Sequence, residues 1–312
     1  MGHTIWILGT LVVGMVAFAW ASWPAPRVAE AAVPEASAEQ GFTLAHWPLE
    51  GAAAHGREVY ERNCIGCHGE EGRGDGEVAH MLDPLPRNLQ EGFFKFRSTP
   101  GGELPVEEDL MHVVTCGLPG SAMRGFPLLP ERDRRAVVAY VLSLAEFGLV
   151  EPVIDEMLAE GRSLEEVMEE DFEDVLAEER EYAWEEAWPV PVPPRPELGP
   201  DAVERGRELF AAQCAACHGE TGRGDGPSSY HLRDWKDAPI RPRDLTTGVF
   251  RAGSRPEDLW LRLRTGLNGT PMPASYSPDD DLWDLVAYIA SLERAGAPDP
   301  HPTSCAAREG VR

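Results

Sequence analysis

The sequence predicts an all-α protein built from two copies of one helical domain, joined by an acidic helical insert. Three observations carry this. First, the stretch CIGCHGEEGRGDG at 64–76 returns as CAACHGETGRGDG at 214–226. Second, further blocks recur around it in the same order: PRNL (86–89) and PRDL (242–245), FKFRS (94–98) and FRAGS (250–254), GLPGSAM (117–123) and GLNGTPM (266–272). Third, each copy opens and closes with a helical pattern. Gly56, Tyr60 and Cys64 match Gly206, Phe210 and Cys214 in steps of four, on one helical face, and AVVAYVLSL (136–144) answers DLVAYIASL (284–292). Two unrelated helical bundles would not share these blocks in one order.

The elements follow along the chain. Ile5 to Trp23 carries no charge and, as a helix, spans about 28 Å, near one hydrocarbon core. Trp6, Trp20 and Trp23 sit at its ends like an aromatic belt. Residues 1–23 therefore read as a transmembrane anchor. The AWA before Ser22 also suits a cleavage site, so a signal peptide stays beside that reading. Residues 24–48, rich in Ala, Pro and Glu, read as a flexible tether. The first domain is expected over 49–149, an acidic helical and proline-rich linker over 150–199, the second domain over 200–296 and a tail over 297–312. In the linker, Ser163 and Glu166 form a capping box. Leu164, Val167, Met168, Phe172, Val175 and Leu176 then recur at helical spacing, so one face should pack. The run PVPVPPRPELGP reads as a semi-rigid spacer. Ser277, Pro278 and Asp280 look like a helix start for the last helix.

The cysteines carry the chemistry. Four of the six lie in two C-x-x-C-H units, the attachment signature of c-type haem. Cys64 and Cys67, and again Cys214 and Cys217, would form thioethers to the haem edge. His68 and His218 would each take one axial position on iron. Zinc needs four ligands and each unit offers three. A thioredoxin-like site needs a βαβ pattern that this sequence lacks. The expected cofactors are two haem c groups with their iron. Attachment of this kind happens outside the cytoplasm, which places the domains on that side of the membrane. The glycine-rich runs after each motif are not phosphate loops, because no Lys-Ser/Thr follows and no strand precedes. They suit tight turns beside a haem edge.

Each copy resembles a class I cytochrome c domain, over about 51–148 and 200–295, and the pair is similar to the diheme, membrane-associated c-type cytochromes. The resemblance implies a methionine on a Gly- and Pro-rich loop as second axial ligand. In the second copy this is Met272, held in TPMPA between Pro271 and Pro273. In the first it is Met123, in SAMRG, where both prolines are missing. Met81, Met111 and His112 are its rivals, the last two within a helical pattern. Arg97 and Arg251 follow matched phenylalanines and fit two readings equally: salt bridges to haem propionates, or surface arginines. The remaining histidines have no matched context.

The net charge is −25, which excludes a nucleic-acid binder and suits a redox partner with a basic docking face. Residues 151–188 hold sixteen carboxylates and two arginines, either a docking face or a solvated face over a domain junction. Cys116 and Cys305 could pair in an oxidising compartment. The expected function is electron transfer by two covalently held haems in a respiratory or related chain. The resemblance points to a bacterial inner membrane, with the domains periplasmic. A cytochrome subunit of a larger oxidoreductase complex is an alternative, and so is a peroxidase-like diheme enzyme with one open iron.

Overall fold

The computed structural model describes residues 41–184 and 188–293. The expected anchor, the tether up to residue 40, the tail and Cys305 lie outside the described residues. Among the described residues there are ten α-helices and no β-strand, as the fold class required. In the first copy, α1 (Gly51–Asn63) runs into the short α2 (Ile65–His68), followed by α3 (Glu107–Cys116) and α4 (Glu131–Ala159). The insert supplies α5 (Leu164–Glu170) and α6 (Phe172–Trp184). The second copy repeats the plan with α7 (Pro200–Gln213), α8 (Ala215–His218), α9 (Pro256–Thr265) and α10 (Asp279–Ser291).

In each copy the first and last helices cross at a glycine. A Cβ at Gly56 would overlap the Ala136 carbonyl oxygen and sit 2.9 Å from the Tyr140 Cβ. A Cβ at Gly206 would overlap the Asp284 carbonyl oxygen and sit 2.9 Å from the Tyr288 Cβ. Only glycine lets the two backbones come this close. Tyr60 and Tyr140 meet edge to face at 5.1 Å, and Phe210 and Tyr288 meet at a tilt at 5.2 Å in the second copy. Val59, Leu110, Val138 and Leu144 fill the first core; Leu259, Trp260, Leu282 and Trp283 fill the second.

Several expectations change in detail. The closing helix of the first copy does not stop near 149 but continues through Pro152 to Ala159. It is the one described helix long and apolar enough to span a membrane, yet slightly over half of its most apolar stretch is buried within the protein. The insert folds back on this helix. Its stripe (Val167, Phe172, Val175, Leu176) forms a third core with Phe147, Val150 and Ile154, so it covers the first domain rather than a domain junction. The Ser163–Glu166 capping box forms as read. The end of the tether is not free: Phe42 (2% exposed) and Trp47 (6%) are buried in this third core. Leu44 and Leu49 pack beside them, so the whole run is apolar enough to dock. The proline-rich spacer is a strap. Val190 donates its N–H to the Ser98 carbonyl of the first copy at 2.8 Å, while Val190, Val192 and Leu198 pack on the second core. The last helix is capped by Pro278 without a side-chain hydrogen bond, and Ser277 instead reaches Gln213 at 3.5 Å.

Candidate haem-binding sites

Each C-x-x-C-H unit is a single helical turn. In the first, the Cys67 and His68 amides donate to the Cys64 carbonyl at 3.2 and 2.9 Å; in the second, Cys217 and His218 do so to Cys214 at 3.1 and 2.9 Å. The turn puts both thiols and the imidazole at one end of the opening helix, and all four cysteines are free thiols. Burial, and then the neighbouring cysteine, push the Cys64 and Cys214 thiols up to about 11.

The glycine-rich run loops back under the histidine. Leu89 donates to the Gly72 carbonyl at 2.7 Å, and Leu245 to Gly222 at 2.7 Å. Gly74, at φ +78°, lies so close to Pro86 that a side chain would meet its carbonyl. This docks PRNL and PRDL beside the two imidazoles. His68 Nδ1 lies 3.3 Å from the Arg87 carbonyl. A carbonyl can only accept, so Nδ1 carries the proton and Nε2 keeps its lone pair for a metal. His218 Nδ1 faces the Arg243 carbonyl in the same way but falls short of hydrogen-bond geometry. Burial lowers both imidazole pKa values and favours the neutral, metal-binding form.

The two methionine loops share one backbone design. Leu118 donates to the Met123 carbonyl at 2.8 Å and Leu267 to the Met272 carbonyl at 3.1 Å. Ser121 Oγ and Thr270 Oγ1 close the turns on the Leu118 and Leu267 carbonyls at 2.7 and 2.9 Å. Gly117 and Gly266 open the loops at φ +70° and +65°. So Met123 occupies the loop position of Met272 although its prolines are missing. Of its rivals, Met111 and His112 lie within α3 as read, and Met81 is 66% exposed.

The propionate candidates divide. Arg97 is only 3% exposed, so the surface reading fails for it. Its Nη2 donates to the Thr265 carbonyl of the other copy at 3.1 Å, and its Nη1 is buried without a partner. Arg251 donates Nη2 to the Gly120 carbonyl at 3.0 Å and leaves Nε buried and unpartnered. Sequence reading missed Arg87, Lys95 and Arg243, which join them where the two copies meet. Burial, then Arg87 and Arg251, lower Lys95 to about 8. Burial also lowers Arg87 and Arg97 to about 10 each. Trp260 and Trp283 add two buried indole N–H groups without acceptors. Trp260 lies within α9 and Trp283 near the start of α10, positions that carry no signal in themselves.

These observations test the fit of haem. Guanidinium and indole nitrogens left buried without acceptors match a group bringing carboxylates, since each buried unpaired donor costs about 1–3 kcal/mol. Free thiol pairs beside an imidazole with a free Nε2 match covalent attachment and axial ligation. The donor set and its surroundings fit the group. Cys116, in contrast, is in a disulfide; Cys305, the mate weighed for it, lies outside the described residues.

The two copies contact each other through side chains from both. Trp235 donates Nε1 to Glu91 at 3.1 Å, meets Phe93 at a tilt and lies under the Arg87 guanidinium at 4.1 Å. Gly102 donates to Asn268 Oδ1 at 3.2 Å.

Comparison with known proteins agrees with this geometry. Residues 203–293 match the family described as cytochrome c, and residues 51–141 match cytochrome c oxidase, cbb3-type, subunit III. A chain of the Kuenenia stuttgartiensis reducing HAO-like protein complex is 35% identical, with a TM-score of 0.63, covering 77% of this chain and 96% of that one. No curated protein matches the chain. Two cytochrome c domains imply two covalently bound haem c groups and haem-based electron transfer. With a domain match in each half and a relative aligned over most of both lengths, the chain belongs to the diheme c-type cytochromes.

Proposed function

We propose that the chain is an electron carrier between redox proteins outside the cytoplasm, with both irons closed to substrate. Cys64, Cys67, His68 and Met123 hold one haem; Cys214, Cys217, His218 and Met272 hold the other. Bound haem c supplies a one-electron couple, and a thioether ligand raises its potential. The observation that carries the reading is the shared design of the two methionine loops, with matched turns at Leu118–Met123 and Leu267–Met272. A sulfur ligand on each iron leaves no coordination seat for peroxide or another small molecule, which argues against the peroxidase-like alternative. Arg97 and Arg251 take haem propionates on their unpartnered nitrogens, which neutralises cations otherwise buried together.

The test is optical. Carbon monoxide is added to the reduced, haem-loaded full chain. An unchanged spectrum supports the carrier; a shift in one of the two haems favours an open-iron enzyme.

A second reading, that the carrier works as a subunit of a larger complex, is favoured by the structural relative, whose chain belongs to a protein complex. The apolar segment Ile5–Trp23 would hold it at a membrane, and the exposed acids of α5 and α6 would meet a basic partner. Purification in mild detergent separates the two readings: a stoichiometric companion supports the subunit, and its absence supports the free carrier.

A further inference from the structure

The Met123 loop lacks the two prolines that stiffen the Met272 loop, yet its backbone runs the same course. Its turn hydrogen bonds repeat those of the second loop, and a Gly117–Arg124 bridge adds to them at the loop base, away from the tip. A second difference lies at the loop tip. The Gly120 carbonyl accepts Arg251 Nη2 at 3.0 Å and Arg243 Nη2 at 3.4 Å, both from the second domain. Gly120 is at φ +69°, and a Cβ there would meet the Arg243 guanidinium at 2.9 Å, so the arginines seat tightly on the turn. At the matching tip of the other loop, Gly269 is covered by Trp235 from its own domain. Each loop is thus braced, but only the one without prolines beside its methionine has two second-domain guanidinium groups on its tip carbonyl.

We propose that Arg251, assisted by Arg243, is a positioning residue for Met123: the second domain holds the first iron's sulfur ligand in place. This rests on the reading of Met123 as an axial ligand. Two charged donors on one carbonyl make a stronger tether than neutral ones. Both guanidinium groups are half-buried, so retreating from the contact does not simply return them to bulk water. The loop tip lies three residues before Met123, and tilting it would carry the sulfur off its axial position. Closure of the first iron therefore depends on domain docking, and closure of the second on Pro271 and Pro273.

The experiment uses the full haem-loaded chain and reads the long-wavelength charge-transfer band of thioether-bound ferric haem, together with carbon monoxide binding after reduction. Met123→Ala should remove half of the band. Arg251→Gln should weaken the same half and admit carbon monoxide to one of the two haems; Arg243→Gln, at a residue given no propionate, should do so more weakly and leave the Met272 half intact as an internal control of folding. Arg251→Lys, which keeps one charged donor, should restore much of the band. If Met123→Ala removes half of the band and Arg251→Gln leaves all of it, the positioning role is wrong while the ligand reading stands. If Met123→Ala leaves the band whole, the ligand reading itself falls. Loss of the Met272 half in Arg243→Gln would also overturn the proposal.

Discussion

Gly56→Ala is a sharp test of the helix crossing, because two effects predict opposite signs. In a helix interior, alanine is favoured over glycine by about 0.8–1 kcal/mol, so propensity alone predicts stabilisation. The crossing predicts the reverse. The new Cβ would overlap the Ala136 carbonyl oxygen, sit 2.6 Å from its carbonyl carbon and sit 2.9 Å from the Tyr140 Cβ, whereas ordinary contact begins at 3.4 Å. The first two atoms are backbone, so no rotamer change relieves them; α1 and α4 must separate. Overpacking of this kind costs about 1–3 kcal/mol, and a fixed backbone partner puts it at the upper end. After the propensity gain, the net loss is ~1–2 kcal/mol, or roughly 4–15 °C in the melting of a domain of this size. Gly206→Ala faces the same geometry against Asp284 and Tyr288 and should cost its own domain as much. Thermal and urea unfolding of the haem-loaded chain, followed by visible absorbance and far-UV circular dichroism, measures both. A melting temperature for either variant at or above that of the parent would refute the close-crossing argument.

Two other perturbations probe the docking and the insert. Trp235→Ala removes the Glu91 hydrogen bond, the Phe93 ring contact and the Arg87 cation–π contact at once. For a half-buried tryptophan this amounts to about 2–3 kcal/mol, and calorimetry should then resolve two transitions where the parent shows more cooperative melting. Ser163→Ala deletes the capping side chain of α5 and costs about 1 kcal/mol. Hydrogen exchange should quicken over 164–170 and leave α7 and α10 unchanged.

Much of this protein is legible because its signals are local. Helical spacing, two C-x-x-C-H units and a capping box each depend on residues within a few positions, and each forms as read. What escapes depends on partners distant in sequence. Phe42 and Trp47 sit in a short apolar run without helical or strand spacing, and nothing nearby says that Phe147 and Phe172 wait for them. Trp235 lies in a loop longer than its counterpart in the first copy, and only the docked domains give it a role. Arg87 and Arg243 stand inside quoted blocks, yet the carbonyls that face the histidines are properties of backbone course, not of side-chain type. The same limit applies to Met123: counting prolines undervalues its loop, because the compensating arginines come from more than 100 residues away.

This last point bears on why the duplication persists as a pair rather than as two independent carriers. If each domain closed its own iron with its own sequence, the contact between them would matter only for distance. Here the first domain lends Arg97 to the Thr265 carbonyl, next to the start of the Met272 loop, and the second lends Arg243 and Arg251 to the Met123 loop. The exchange makes the environment of each centre partly the property of the other domain. It also gathers cations where the two domains meet, and although Glu91, Asp234 and Asp83 lie near enough to act on them, Arg87, Arg97 and Arg251 each keep a buried nitrogen that no acceptor of the polypeptide reaches. On this argument haem loading and domain docking reinforce each other: carboxylates of the bound groups would quench the repulsion between the arginines, and the arginines could then hold the opposing loop. A chain loaded with haem in one domain alone should therefore dock poorly, even though each domain has a core of its own.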